Sequence, residues 1–251
     1  MWTKALVLSG LILLLAGVPA DRVWAQASLG VVTPPDLAGP TWTGQVTGGG
    51  ELRFVPDPSG EFLGGGSLQF TADGTNAGAQ LRFSDMYWTL MLSELVSLHY
   101  RALAAGEQCT HEKPKKQNGP DKNRSLILAL DVDTDADFVA DDVLVFDPAV
   151  NGDVVCGTWQ TWDAKHGLWY SADDKKGVKH AAPLSDYLAM HPDARMVYGG
   201  IRVMAAAAGK GKDFVGHLDS LSLEGPPSCS GGGCVSGPAP TYLFRLAIPG
   251  P

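Results

Sequence analysis

Basic residues are scarce in this chain. Nineteen Lys and Arg stand against 27 Asp and Glu, a formal net charge of -8, so no basic face is available for a phosphate backbone and nucleic acid is excluded as a partner. Charged residues make up only 18% of the chain, which makes any local crowding of charge a signal. There are four cysteines and no C-x-x-C spacing, so neither a zinc ribbon nor a thioredoxin-like redox motif is present. The six histidines form no H-E-x-x-H, and the chain after the leader carries no G-x-S-x-G. Glu51, Glu61, Glu94, Glu107, Glu112 and Glu224 are scattered singly, without the paired spacing of glycosidase carboxylates. No catalytic residues are assigned. An active site assembled from distant residues would leave no such trace.

Beyond the first twenty residues no apolar run is long enough to span a bilayer. Those first residues, MWTKALVLSGLILLLAGVPADRVWAQAS, have the form of an export signal. Lys4 supplies the positive region, Ala5 to Val18 the apolar one, and cleavage sites follow after Ala20 or after Ala27. The mature chain is expected to be secreted, periplasmic or on the cell surface, with no membrane attachment after cleavage. Disulfides persist there. Cys229 and Cys234 bracket a flexible SGGG and are expected to pair, which leaves Cys109 for Cys156.

What the chain has is turns and alternation. Gly and Pro punctuate short segments of strand character near 51–55, 66–72, 79–84, 95–103, 125–132, 143–148, 154–162, 196–205 and 214–224. In SLHYRA, Leu98 and Tyr100 share one face while His99 and Arg101 share the other, the period of a sheet with one side on a core. The expected fold is all-β, an antiparallel sandwich of jelly-roll type. One short helix is expected at 183–193, with Ser185 as its N-cap and Pro192 as its stop. The expected organisation is a signal peptide (1–27), an extended lead-in (28–46), the sandwich (47–224) and a Gly/Pro-rich tail (225–251). In that tail, Tyr242 to Ile248 can pack back as an edge strand.

Six aspartates crowd into residues 131–142, DVDTDADFVADD. Like charges that close repel by roughly 1 kcal/mol per pair even in water, so a compensating cation is expected. Asp131, Asp133, Asp135 and Asp142 fall at positions 1, 3, 5 and 12, the ligand spacing of a twelve-residue calcium loop. Ala136 stands where an EF-hand needs glycine, and strands rather than helices flank the loop. The expectation is therefore a structural Ca2+ in a β-hairpin.

Aromatics cluster in GTWQTWDAKHGLWY, where Trp159, Trp162, Trp169 and Tyr170 lie beside Gln160, Asp163 and Lys165. Exposed indole and phenol faces stack on sugar rings while neighbouring polar groups bond to hydroxyls. In a regular strand Trp159 and Trp162 point to opposite faces. One core tryptophan and one or two exposed ones are expected, and the binding residues are Trp159, Trp162, Asp163, Trp169 and Tyr170.

The order GGGSLQF, LILALDVDTDADFVADDVLVFDP, GTWQTWDAKHGLWY, LSDYLAMHPDARMVYGGIRV, FVGHLDSLSLE resembles a jelly-roll module recurring in secreted bacterial proteins. More distantly it is similar to jelly-roll carbohydrate-binding modules and concanavalin A-like sandwiches. The resemblance runs from about Thr47 to Glu224, with W-Q-T-W-D and G-x-x-D-S-L as its more specific parts. It implies that Asp219, in the closing strand, is a further candidate calcium ligand, in competition with the aspartate loop. The function it implies is non-catalytic, lectin-like binding of a polysaccharide or other glycan. A structural or adhesive surface module, and a hydrolase or lyase with a dispersed site, are the alternatives.

Overall fold

The computed structural model describes residues 29–32, 42–58, 66–72, 77–83, 90–106, 124–175, 177–205, 214–225, 228–230, 233–235 and 241–244. The export signal and Cys109 lie outside the described residues. In chain order the strands are β1 (Leu29–Val32), β2 (Trp42–Thr47), β3 (Gly50–Pro56), β4 (Gly66–Ala72), β5 (Gly78–Phe83), β6 (Ser97–Ala105), β7 (Leu126–Asp133) and β8 (Asp142–Phe146). They continue with β9 (Trp159–Asp163), β10 (Leu168–Ser171), β11 (Ala182–Pro183), β12 (Arg195–Ala205), β13 (Phe214–Glu224), β14 (Ser228–Ser230), β15 (Gly233–Val235) and β16 (Thr241–Phe244). The α-helices are α1 (Pro148–Asn151) and α2 (Leu184–Met190), and short 3-10 turns run over Leu92–Glu94 and Gly177–His180.

Two sheets face each other. In the first, β13 pairs along one side with β6, and β6 with β9. Along its other side β13 pairs first with β4, which carries β3, and then with β16, which carries β1. The second runs β11-β10-β8-β7-β12-β5-β2. The chain passes between the two after β1, β2, β4, β5, β6, β8, β9 and β12, the repeated alternation of a jelly roll. The lead-in and the tail both contribute to it, since β2 closes one sheet and β1 and β16 extend the other.

Period-2 patterning explains the layers. Leu68 and Phe70 of β4, Leu98 and Tyr100 of β6, and Leu218 and Leu221 of β13 are buried on the inner face of the first sheet. Facing them are Leu126, Leu128 and Leu130 of β7, with Leu144 and Phe146 of β8. The Tyr100 hydroxyl donates to the Leu126 carbonyl at 2.8 Å, tying the sheets together, and burial pushes this phenol well up. A break in β12 register between Met196 and Ile201 requires glycine at 200. A Cβ there would lie 2.6 Å from the Val197 carbonyl oxygen and 2.8 Å from that of Asp131.

The expected helix is shorter than 183–193 and is not capped by Ser185. Pro183 occupies the N-cap without a side-chain bond, and Ser185 lies inside the first turn. A second helix, α1, escapes its short apolar pattern and is capped by Asp147, whose carboxylate accepts from the Ala149 amide at 2.8 Å. Cys229 and Cys234 stand directly opposite one another across β14 and β15. Cys156 is disulfide-bonded, and no free cysteine occurs among the described residues. No helix among them is long and apolar enough to cross a membrane.

Candidate functional site

The aspartate loop folds around Asp133 rather than around all four expected ligands. Asp133 Oδ1 accepts from the amides of Asp135 (3.0 Å) and Ala136 (2.6 Å), and Oδ2 accepts from Phe138 at 2.9 Å. Burial alone would raise its pKa, but these three amides and the charge of Arg195 outweigh it and hold the carboxyl below its usual range. Ala136 and Phe138 adopt left-handed φ values of 70° and 68° so that their amides can turn inward. Asp141 Oδ2 accepts from the amide and hydroxyl of Thr134 at 2.7 and 2.8 Å. Asp133, Asp135 and Asp141 bring carboxylate oxygens within 4.8 Å of one another.

Three expected ligands point elsewhere. Asp131 lies on the outer face of β7, where Arg82 (3.1 Å) and Arg202 both bind its carboxylate. Asp142 pairs with Val132 and shares its inward face, so strand parity turns it away from the loop. Its Oδ1 accepts from the Ser171 hydroxyl at 2.6 Å. Asp219 is buried in the closing strand and is paired with Arg101 at 3.4 Å. Asp141 takes the place expected of Asp142, one residue along.

The aromatic platform is not formed. Trp159 and Trp162 do point to opposite faces of β9, but both are buried, as is Trp169. Trp162 packs in the core. Trp159 lies on the outer face, yet the chain leaving β3 covers it. Its indole N–H donates to Asp57 Oδ1 at 3.1 Å, Arg101 sits 5.5 Å over its ring, and His217 meets it edge-on. Burial holds His217 neutral, its pKa pulled down to about 4 against the opposing charge of Asp57. Gln160 is spent bracing the preceding loop, through the Val155 amide and the Asp153 carbonyl. Asp163 faces His166 at 2.8 Å and His99 at 3.8 Å, on the sheet edge. Of the expected binding residues, Trp169 and Tyr170 border a cavity.

That cavity is a cleft of about 430 Å³ where the inner face of β8 and β10 runs past the first sheet and α2 covers it. Its size matches ordinary small-ligand sites. The sheet side presents Leu144, Asp142, Trp169 and Ser171. Phe146 (5.6 Å between ring centres) and the bond from the Trp169 N–H to the Ala164 carbonyl (2.8 Å) hold the indole in place. The turn before α2 presents Asp174 and His180, in contact at 2.7 Å. The helix presents Asp186, Tyr187 and His191, with the last two rings 4.7 Å apart. Burial, then the charges of Asp142 and Asp141, push the Tyr187 phenol far above its ordinary value. Burial first and Asp147 second raise that of Tyr170. The helix side was missed in the sequence, although Tyr187 and His191 at i and i+4 signal a shared aromatic face.

The sequence matches no known protein family and no curated protein. Solved structures similar to this fold include the family 11 carbohydrate-binding module of a cellulosomal cellulase of Clostridium thermocellum. That match is 14% identical with a TM-score of 0.39, covering 76% of this chain and 91% of the module. The same kind of module in complex with a β-1,3-1,4-mixed-linked tetrasaccharide is 14% identical with a TM-score of 0.35, covering 74% and 89%. A β-1,2-glucanase from Parabacteroides distasonis, 12% identical with a TM-score of 0.38, is covered over only 24% of its length and 76% of this chain.

Proposed function

We propose that this is an exported, non-catalytic carbohydrate-binding protein whose ligand enters the cleft between β10 and α2. The observation that carries the reading is the lining of that cleft. Rings of Trp169 and Tyr187 stand beside a hydroxyl and carboxylates in a space large enough for a sugar, which is how apolar C–H faces and hydroxyls are held together. Calorimetric titration of the full chain with a panel of oligosaccharides tests it. Tyr187→Ala is expected to lower affinity about ten- to a hundredfold, the cost of losing a contact worth about 1–3 kcal/mol. Tyr187 also packs against the core, so affinity is compared at a temperature where the melting curve shows the variant folded. A panel without any binder, or a binder indifferent to Tyr187, would remove the reading. Release of reducing sugar from the panel would turn the cleft into an active site.

One observation favours a second reading, a structural or adhesive module without a small ligand. The outer faces of both sheets are polar and already internally paired, through Arg53–Gln69–His217–Ser67 on one and Arg82–Asp131–Arg202 on the other.

A structural calcium ion at the tip of the β7–β8 hairpin belongs to the same proposal. The donors are hard oxygens, which suit Ca2+. Asp135 Oδ2 and Asp141 Oδ1 accept no hydrogen bond among the described residues. Against the bond it accepts from the Asp137 amide, burial and then the carboxylates of Asp137, Asp141 and Asp133 raise the Asp135 pKa, and a cation would relieve that repulsion. Millimolar Ca2+ should raise the melting temperature and a chelator lower it, since an ion that binds only the folded state stabilises it. Asp135→Ala and Asp141→Ala should abolish the shift, and Asp219→Ala should leave it. No shift at saturating calcium would sink the ion. The disulfides Cys109–Cys156 and Cys229–Cys234 complete the reading. Non-reducing peptide maps with either link elsewhere would remove that part.

A further inference from the structure

Carboxylates outnumber basic side chains in the cleft by three to two, the bases being His180 and His191. Asp142, Asp174 and Asp186 line it, and among the described residues no lysine or arginine does. His180 contacts Asp174 at 2.7 Å and so offsets at most that one carboxylate. Asp142 accepts from the neutral Ser171 hydroxyl, and Asp186 stands exposed on the first turn of α2. The rings of Trp169, Tyr170 and Tyr187 in its lining suit a cation as well, because the face of a π system attracts one.

We propose that the cleft takes a glycan carrying free amino groups and rejects one carrying carboxylates. The inference rests on the carbohydrate reading above and adds the charge class of the ligand. A sugar ammonium would sit between Asp142 and Asp186 with its ring against Tyr187. An N-acetyl group at the same carbon removes the charge, and a uronate places like charge against the wall.

The test is calorimetric titration of the full chain at low and at high salt. The probes are a glucosamine oligosaccharide, its N-acetylated counterpart, a galacturonate oligosaccharide and a lysine oligomer. The glucosamine oligosaccharide should bind about tenfold or more tightly than its acetylated counterpart. High salt, which screens exposed charge, should narrow the gap. Asp186→Asn sits at an exposed position and should fold normally. It should weaken the amino glycan several-fold and the acetylated one by clearly less. Equal or better binding of the acetylated or uronate probe, or indifference to Asp186→Asn, would overturn the inference. So would a lysine oligomer that binds as tightly, which would assign the cleft to a basic peptide. If the neutral glycan binds best and still needs Tyr187, the cleft remains a carbohydrate site and only its charge class is lost. If no glycan of any charge binds, the carbohydrate reading itself fails.

Discussion

Trp162→Ala is expected to cost about 3–5 kcal/mol of folding stability, the usual price of deleting a large buried aromatic side chain. For a domain of this size that is a fall in melting temperature of about 10 °C or more. Trp162 sits in the core beneath β9, opposite Tyr100 of β6, so its loss opens a void between the sheets. Its indole N–H is buried without a hydrogen-bond partner among the described residues. Trp162→Phe should therefore cost far less than the alanine change, under about 1.5 kcal/mol, because it also removes an unsatisfied donor. Urea unfolding of both variants checks this. An alanine variant as stable as the parent would return Trp162 to the surface and restore the exposed platform that the sequence suggested.

Asp131→Ala is expected to cost about 2–3 kcal/mol. The carboxylate binds Arg82 and Arg202, which stand directly opposite each other across β5 and β12. Removing one member of a buried ion pair typically costs about 3–5 kcal/mol, reduced here because Arg82 is about one third exposed and screened by solvent. Like charges directly opposite on a sheet face repel once the shared carboxylate is gone. The loss should be the same with calcium and with chelator. A loss that appeared only in calcium would make Asp131 a ligand after all.

Most strands were legible because a strand's period is a local property, although the expected strand at 154–162 forms only from Trp159 to Asp163. β4 and β13 match the expected 66–72 and 214–224 residue for residue, and alternation in SLHYRA placed Leu98 and Tyr100 on the core face. β10 was not read as a strand, since its four residues, LWYS, are too few to show a period. The carboxylate crowding at 131–142 was equally plain. Which aspartates converge was not, because a spacing of 1, 3, 5, 12 says nothing of where β8 begins. Once Asp142 pairs with Val132 its side chain must face inward, and Asp141 in the turn is left beside Asp133 and Asp135.

Sequence by itself determined the all-β alternation and the excess of acid over base, both set by residues near one another in the chain. Tertiary structure decided exposure. Trp159 is buried because Asp57, 102 residues away, and Arg101 of the neighbouring strand cover a face that strand parity had turned outward. The cleft exists because α2 and the turn before it lie over an inner face that the first sheet leaves uncovered. Burial depends on every segment that happens to pack nearby, and no local pattern encodes that.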